Sequence, residues 1–178
     1  EEYTYAFGDA SSAYSPKKLR RFHRQFLWLK GVAGTRHPAI VVFDTVESTN
    51  ASFKKTYLLH TENRPDVSGV VVRAENNGAS LYQKTLLPES PRIAVVGGSG
   101  KEYWVNGKNY PAARAPRAKE EAGKYRVEIS PPAANLVDRF LHVLHAGDVG
   151  GAVPAAARVS ATTMTALRVG DWVVLLGS

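Results

Sequence analysis

The sequence predicts an all-β protein, an antiparallel β-sandwich of about a dozen short strands. Short β-branched and aromatic runs recur between turn-forming residues, and no long run has helical periodicity. The 178 residues are enough to bury a core, and 44% hydrophobic against 22% charged residues is typical of a folded globular protein. No change in composition divides the chain, so we expect residues 1–178 to form a single domain.

Twelve short segments rich in β-branched and aromatic residues, bounded by turn-forming residues, are predicted to be strands. They are Glu2–Phe7, Leu19–Leu29, Ala39–Glu47, Ser52–Leu59, Gly69–Ala74, Ala79–Leu86, Arg92–Val96, Glu102–Val105, Tyr125–Ile129, Asp138–His145, Thr162–Ala166 and Trp172–Leu176. Asn106 and Gly107 favour a type I′ turn, because both central residues of that turn need positive φ. We therefore expect Glu102–Val105 to pair with the residues after this turn.

Two segments have weak patterns. The polar, alanine-rich stretch Ala112–Gly123 is predicted to be a loop or one short helix. Gly147–Ala157 is low in information and is predicted to be a mobile loop, with a helical turn near Pro154 as the other place for helix.

Several classes of function are excluded by what the chain lacks. It has no cysteine, which excludes disulfides, iron–sulfur clusters and thiolate zinc sites. The glycines of VVGGSGKEYW precede a predicted strand rather than a helix, so they do not form a Walker phosphate loop, and no G-x-S-x-G motif of a serine hydrolase occurs. No apolar run is long enough for a membrane span, and no signal peptide is visible.

The net charge of +7 and pI of about 9.7 direct attention to one basic stretch, SPKKLRRFHRQFLWLK. In a strand, Arg21 and His23 lie on one face and Arg24 lies on the other. The stretch suits an acidic polymer, either an acidic polysaccharide or a nucleic acid, but it is equally the composition of a solvated outer face. No nucleic-acid recognition motif accompanies it, so we do not expect a nucleic-acid partner.

The remaining candidate residues are histidines and one aspartate. His142 and His145 are three residues apart, so a strand places them on opposite faces, and we expect no metal site within the chain. His60 ends the apolar run TYLLH, where it either faces a cleft or is structural. Asp44 lies in an apolar strand and is expected to pair with Lys54 or Lys55 across a hairpin.

Seven segments occur in an order that resembles a known family. They are YTYAFGDASSAYS, KKLRRFHRQFLWL, PAIVVFDTVES, FKKTYLLHTENRP, SLYQKTLLPE, VVGGSGKEYWVNGKNYP and DRFLHVL. Together they resemble the C-terminal β-sandwich of the heparinase II/III-like polysaccharide lyases, heparinase II most closely, over roughly residues 3–145.

The resemblance implies cleavage of a uronate-containing, glycosaminoglycan-like polysaccharide by β-elimination. It also implies that the catalytic Tyr and His, and a metal ion with its ligands, belong to parts of the family protein upstream of this segment. The segment itself then has no catalytic residue, no cofactor and no metal; it is expected to be inactive alone and to support the fold and substrate binding. Its tentative substrate-binding residues are His60, Arg21, His23 and Arg24.

The partners that the resemblance implies are an acidic polysaccharide and the N-terminal helical part of the same protein, with no membrane partner. The expected location is the periplasm or outside the cell. A free-standing carbohydrate-binding module, which would use the basic face without chemistry, remains the alternative.

Overall fold

A computed structural model describes residues 2–35, 37–110 and 123–177, and these form strands joined by short turns. The strands are β1 (Tyr3–Asp9), β2 (Leu19–Leu29), β3 (Ala39–Ser48), β4 (Tyr57–Thr61), β5 (Asp66–Ser68), β6 (Val71–Asn76), β7 (Ala79–Leu87), β8 (Arg92–Gly97), β9 (Trp104–Val105), β10 (Lys108–Asn109), β11 (Tyr125–Ser130), β12 (Val137–Asp148), β13 (Ala156–Val159), β14 (Thr165–Val169) and β15 (Trp172–Leu176). Within the described ranges the one helical element is the 3-10 turn Ser11–Ala13.

A seven-stranded sheet forms the middle of the molecule, in the order β1-β2-β3-β12-β7-β6-β5. Every pairing in it is antiparallel. Two three-stranded sheets, β4-β11-β8 and β13-β14-β15, are also antiparallel. The predicted antiparallel β-sandwich is therefore confirmed.

The central sheet has a flanking sheet on each face, because its innermost strands are apolar on both sides. In β3, Val41 and Phe43 join one buried cluster with residues of β13, β14 and β15, among them Leu167. The alternate residue Val42 joins a second cluster with residues of β4 and β11, among them Ile129. Three β layers thus enclose two separate hydrophobic cores.

The strand β12 repeats this two-sided pattern. Leu141 and Val143 belong to the first core, whereas Phe140 belongs to the second. A strand that is buried on both faces has a nearly continuous apolar sequence, and the FLHVL part of β12 has that character. Within that part His142 is the polar exception on the second face, and it is fully buried.

The predicted hairpin at Asn106-Gly107 is confirmed. Val105 pairs with Lys108 and Trp104 pairs with Asn109 across the turn. Asn106 and Gly107 have φ of 49° and 82°, as a type I′ turn requires.

Most predicted strands differ from the observed ones by one to three residues at an end, and the larger differences have local causes. The fourth strand begins at Tyr57 rather than Ser52, because residues 50–53 form a turn in which the Asn50 side chain accepts hydrogen bonds from Ser52. The strand predicted at Thr162–Ala166 begins and ends three residues later. The prediction of a loop over Gly147–Ala157 is wrong at both ends, where β12 and β13 extend into it. The residues around Pro154 are not helical, and the stretch 111–122 lies outside the described residues.

We expect Phe140→Ala to lower the free energy of unfolding by about 3–5 kcal/mol, because it leaves a cavity in a fully buried position. Urea denaturation followed by tryptophan fluorescence measures this. Val173→Ala, at an exposed position of β15, serves as the control and should cost less than about 0.5 kcal/mol. Equal losses from the two substitutions would contradict the assignment of Phe140 to a packed core.

Candidate functional site

The basic strand β2 borders a surface groove of about 600 Å³. The groove runs between the outer part of the central sheet and the segment that leads into β4. Its walls come from the segment before β2, from β2, β3 and β12, and from residues 53–58. The lining residues are Tyr14, Lys18, Leu19, Phe22, Arg24, Asp44, Val46, Ser48, Phe53, Lys54, Lys55, Thr56, Tyr57, Leu58 and Phe140.

The floor of the groove is an ion pair between neighbouring strands. Arg24 and Asp44 are directly opposite in the β2–β3 register, and the guanidinium donates two hydrogen bonds of 2.6 Å to the two carboxylate oxygens. The Asp44 side chain is only 4% exposed, and that of Arg24 is 34% exposed. The hydrogen bonds with Asp44 raise the pKa of Arg24, while burial raises the pKa of Asp44 against the opposing effect of Arg24.

This pair corrects one sequence prediction. Asp44 was expected to pair with Lys54 or Lys55 across a hairpin, but β4 belongs to a different sheet from β3 and does not pair with it. Arg24 on β2 is the partner instead. The register of two adjacent strands places the guanidinium directly beside the carboxylate, whereas the lysines contact acids on β11 and β12.

Three aromatic rings lie close to the Arg24 guanidinium. Its central carbon lies 5.4 Å from the ring centre of Phe22, 5.7 Å from Phe26 and 5.8 Å from Tyr57. Cation–π attraction of this kind adds to the ion pair. Arg24 is thus held by one carboxylate and three rings, and its charge is balanced by Asp44.

His142 lies behind the floor. Its ring packs on Tyr57 with centroids 3.9 Å apart, and its Nδ1 is 3.3 Å from the Gln83 amide and 3.2 Å from the Thr85 hydroxyl. Burial, with a further contribution from the positive charge of Arg24, lowers the pKa of His142 from 6.5 to about 3. The imidazole is therefore neutral at physiological pH.

Two hydrogen bonds from Thr49, which follows β3, hold the segment that precedes β2. Thr49 donates from its amide to the Lys18 carbonyl at 3.0 Å and from its hydroxyl to the Lys17 carbonyl at 2.6 Å. The turn that follows is closed by the Phe53 amide, which donates to the Asn50 carbonyl at 3.1 Å. These bonds set the positions of Lys18 on one rim and Phe53 on the other.

The second lysine of residues 54–55 is buried and paired. Lys55 Nζ lies 2.9 Å from an Asp138 carboxylate oxygen, and it donates to the Ser48 hydroxyl and the Asn135 carbonyl. Its three donors are all satisfied within the protein. Lys55 therefore fastens β12 to the start of β4 rather than facing a ligand.

The other predicted binding residues lie away from the groove. Arg21 faces Glu47 at 3.6 Å, and His23 faces Asp9 at 3.7 Å. His60 is an exposed residue of β4, opposite Arg126. Of the four residues chosen from the sequence, Arg24 alone lines the groove. The structure does not bring the four together, and their role in substrate binding stays a prediction.

Sequence reasoning missed the residues on the rims. Lys18 was visible as part of the basic stretch, but it precedes the strand, so the face alternation did not select it. Lys54 was considered only as a partner for Asp44. Tyr14 precedes the predicted strands, and Phe53 was assigned to the strand predicted at Ser52–Leu59. Their place on the rims depends on the turns around residues 15–19 and 50–53.

The described residues contain neither a metal-binding group nor a membrane-spanning helix. None of their histidine and acidic side chains form a group of three that is suited to holding a metal ion. The described part of the chain also contains no helix with the length and apolar character needed to cross a membrane.

No protein-family model and no curated protein matches the sequence. The fold, however, is similar to that of solved polysaccharide lyases. A structure of heparinase III matches with a TM-score of 0.63 and 14% identity over 99% of this chain, and a second one, with methylated lysines, matches with a TM-score of 0.57 and 13% identity. A mutant of the heparan sulfate lyase HepC from Pedobacter heparinus matches with a TM-score of 0.53 and 14% identity over 92% of this chain.

These likenesses confirm the resemblance to heparinase II/III-like lyases at the level of the fold. That heparinase II is the nearest relative stays a prediction. The matched region is 24–26% of each solved chain, so this chain spans about a quarter of the length of the structures it matches.

We expect Arg24→Gln to lower the free energy of unfolding by about 3 kcal/mol, because it leaves the buried Asp44 carboxylate without its partner. The double variant Arg24→Gln/Asp44→Asn should recover about 1–2 kcal/mol of that loss, since the uncompensated charge is gone. Arg20→Gln is the control: its ion pair with Glu47 is exposed and is worth below about 1 kcal/mol. A double variant less stable than Arg24→Gln would contradict this account.

His142 makes the stability depend on pH. Its pKa is about 3 in the folded protein and about 6.5 when exposed, so the unfolded chain binds the extra proton below pH 6.5. The free energy of unfolding should therefore fall as the pH drops, by about 2 kcal/mol between pH 6.5 and about pH 5 from this residue. Urea titrations at several pH values measure this, and in His142→Phe the free energy of unfolding should depend less steeply on pH. The same pH dependence of the free energy of unfolding in the variant as in the unmodified chain would contradict the prediction.

Proposed function

We propose that this chain is the C-terminal β-sandwich segment of a polysaccharide lyase that cleaves a uronate-containing, glycosaminoglycan-like polysaccharide by β-elimination. The observation that carries the proposal is the fold likeness to heparinase III and HepC over 92–99% of the chain. Those two proteins are named as a heparinase and a heparan sulfate lyase, and we extend that type of activity to a chain that shares their fold. It places the protein in the periplasm or outside the cell, where such polymers are met.

The role of the segment within that enzyme is support and substrate binding rather than chemistry. β-Elimination needs a base for the C5 proton and an acid for the leaving oxygen, positioned together. In the groove, Arg24 and Lys55 are held in ion pairs, and His142 is buried behind the floor. These three groups are therefore not free to exchange a proton with a ligand, whereas the groove offers charge and aromatic surface for binding one.

The charge of the chain suits this role. Acidic polysaccharides carry carboxylate or sulfate groups on successive sugars, and a chain with a net charge of +7 attracts them at long range. The strength of such attraction falls with rising salt, because bound counterions are released when charges are neutralised.

We expect the isolated chain to form no unsaturated product from heparin, heparan sulfate or alginate, and the natural polypeptide that contains it to form one. Ultraviolet absorbance of the new C4–C5 double bond measures both. Product formed by the isolated chain would overturn the non-catalytic role.

A natural polypeptide that contains this chain and forms no product from any of the three polymers would contradict the lyase proposal. If it still bound heparin, the alternative of a free-standing carbohydrate-binding module would be favoured. The inactive polypeptide must be shown to be folded, by the cooperativity of its urea transition, before that conclusion is drawn.

A further inference from the structure

The cations that line the groove divide into two kinds. Arg24 is neutralised by Asp44 and Lys55 by Asp138. Lys18 has no ion-pair partner within residues 2–35, 37–110 and 123–177. It is exposed on the rim, where its charge faces solvent.

The second rim lysine, Lys54, carries a charge that is only weakly compensated. Its Nζ is 3.5 Å from Glu128, and its side chain is 68% exposed. Glu128 already accepts two closer hydrogen bonds, of 2.7 and 3.1 Å, from Arg126. Both of those bonds go to Oε1, whereas Lys54 contacts Oε2. The Lys54 ion pair therefore shares its carboxylate with Arg126, and exposed pairs of this kind contribute little.

Each rim also presents an aromatic ring. Tyr14 is 52% exposed, and its ring packs edge-on against Phe22 at 5.8 Å. Phe53, on the opposite rim, is 37% exposed. A pyranose ring has an apolar face of C–H groups that packs on an aromatic ring, while its hydroxyl, carboxylate and sulfate groups point outward to cations.

Building on the proposed function, we infer that this groove binds an anionic oligosaccharide, with Lys18 and Lys54 contacting its carboxylate or sulfate groups and Tyr14 and Phe53 packing on its rings. Arg24, which the sequence suggested as a contact, is instead a positioning residue that holds the floor. The groove volume of about 600 Å³ is within the usual range for binding sites of small ligands.

The test is isothermal titration of the chain with a heparin tetrasaccharide at low salt, compared with a neutral maltotetraose. The unmodified chain should bind the heparin tetrasaccharide and not the neutral sugar. Lys18→Gln/Lys54→Gln should weaken binding by about tenfold or more, because two charge-assisted contacts are lost. Lys18→Arg/Lys54→Arg should retain binding, which shows that the charge rather than the local fold is responsible.

The matched control is Lys17→Gln/Arg64→Gln, which removes the same net charge from two exposed positions outside the groove lining. It should weaken binding less than threefold or so, through long-range attraction alone. Equal weakening by the two double variants would overturn the groove assignment while leaving the lyase proposal intact, since that proposal is decided by product formation in the natural polypeptide.

The aromatic rims supply a second readout. Tyr14→Ser and Phe53→Ser should each weaken tetrasaccharide binding about threefold to tenfold without changing its salt dependence, because they remove no charge. A hyaluronan tetrasaccharide carries carboxylates without sulfates. Comparing its affinity with that of the heparin tetrasaccharide shows whether carboxylate or sulfate groups contribute more to binding. No binding of either acidic tetrasaccharide, or tighter binding of a single-stranded DNA oligonucleotide, would overturn the inference.

Discussion

The burial of the central sheet on both faces is the constraint on which the other features depend. Strands β3 and β12 have flanking sheets above and below, so almost every side chain on them must be apolar or find a partner in place. Asp44 and His142 are two polar residues on these strands that face the second core. Each is accommodated locally, the first by the guanidinium of Arg24 and the second by Gln83 and Thr85.

The accommodation of Asp44 decides where charge is available. Arg24 contacts one carboxylate and three aromatic rings of the protein, so its guanidinium stabilises the fold rather than binding a ligand. Its replacement would disturb folding and binding together. Positive charge free for a ligand is left on the rims, at Lys18 in a turn and at Lys54 in the irregular segment before β4. The rigid floor and the charged rims thus arise from different parts of the chain.

Much of the fold could be predicted from the sequence, because β-branched and aromatic runs and the turn residues between them are local signals. Leu19–Leu29 and Trp172–Leu176 were predicted with both ends correct. The second flanking layer was not predicted, since a run such as IVVF does not tell which sheets will cover it. The partner of Asp44 was missed for the same reason. It depends on which strands become neighbours, and β4 lies in a flanking sheet rather than beside β3. The groove was missed because its rims are set by hydrogen bonds from Thr49 to Lys17 and Lys18, which are distant in the sequence.

An extended anionic polymer suits this arrangement better than a small free anion does. A free phosphate or sulfate is bound most strongly where several donors converge on one point. Here the ammonium of Lys55 makes all its contacts within the protein, and the charge of Arg24 is paired with the buried Asp44 carboxylate. The remaining cations lie on two separate rims of an open groove, each beside an exposed ring. A ligand that uses both must itself carry separated charges joined by a surface that packs on aromatic rings, and an acidic oligosaccharide has both properties.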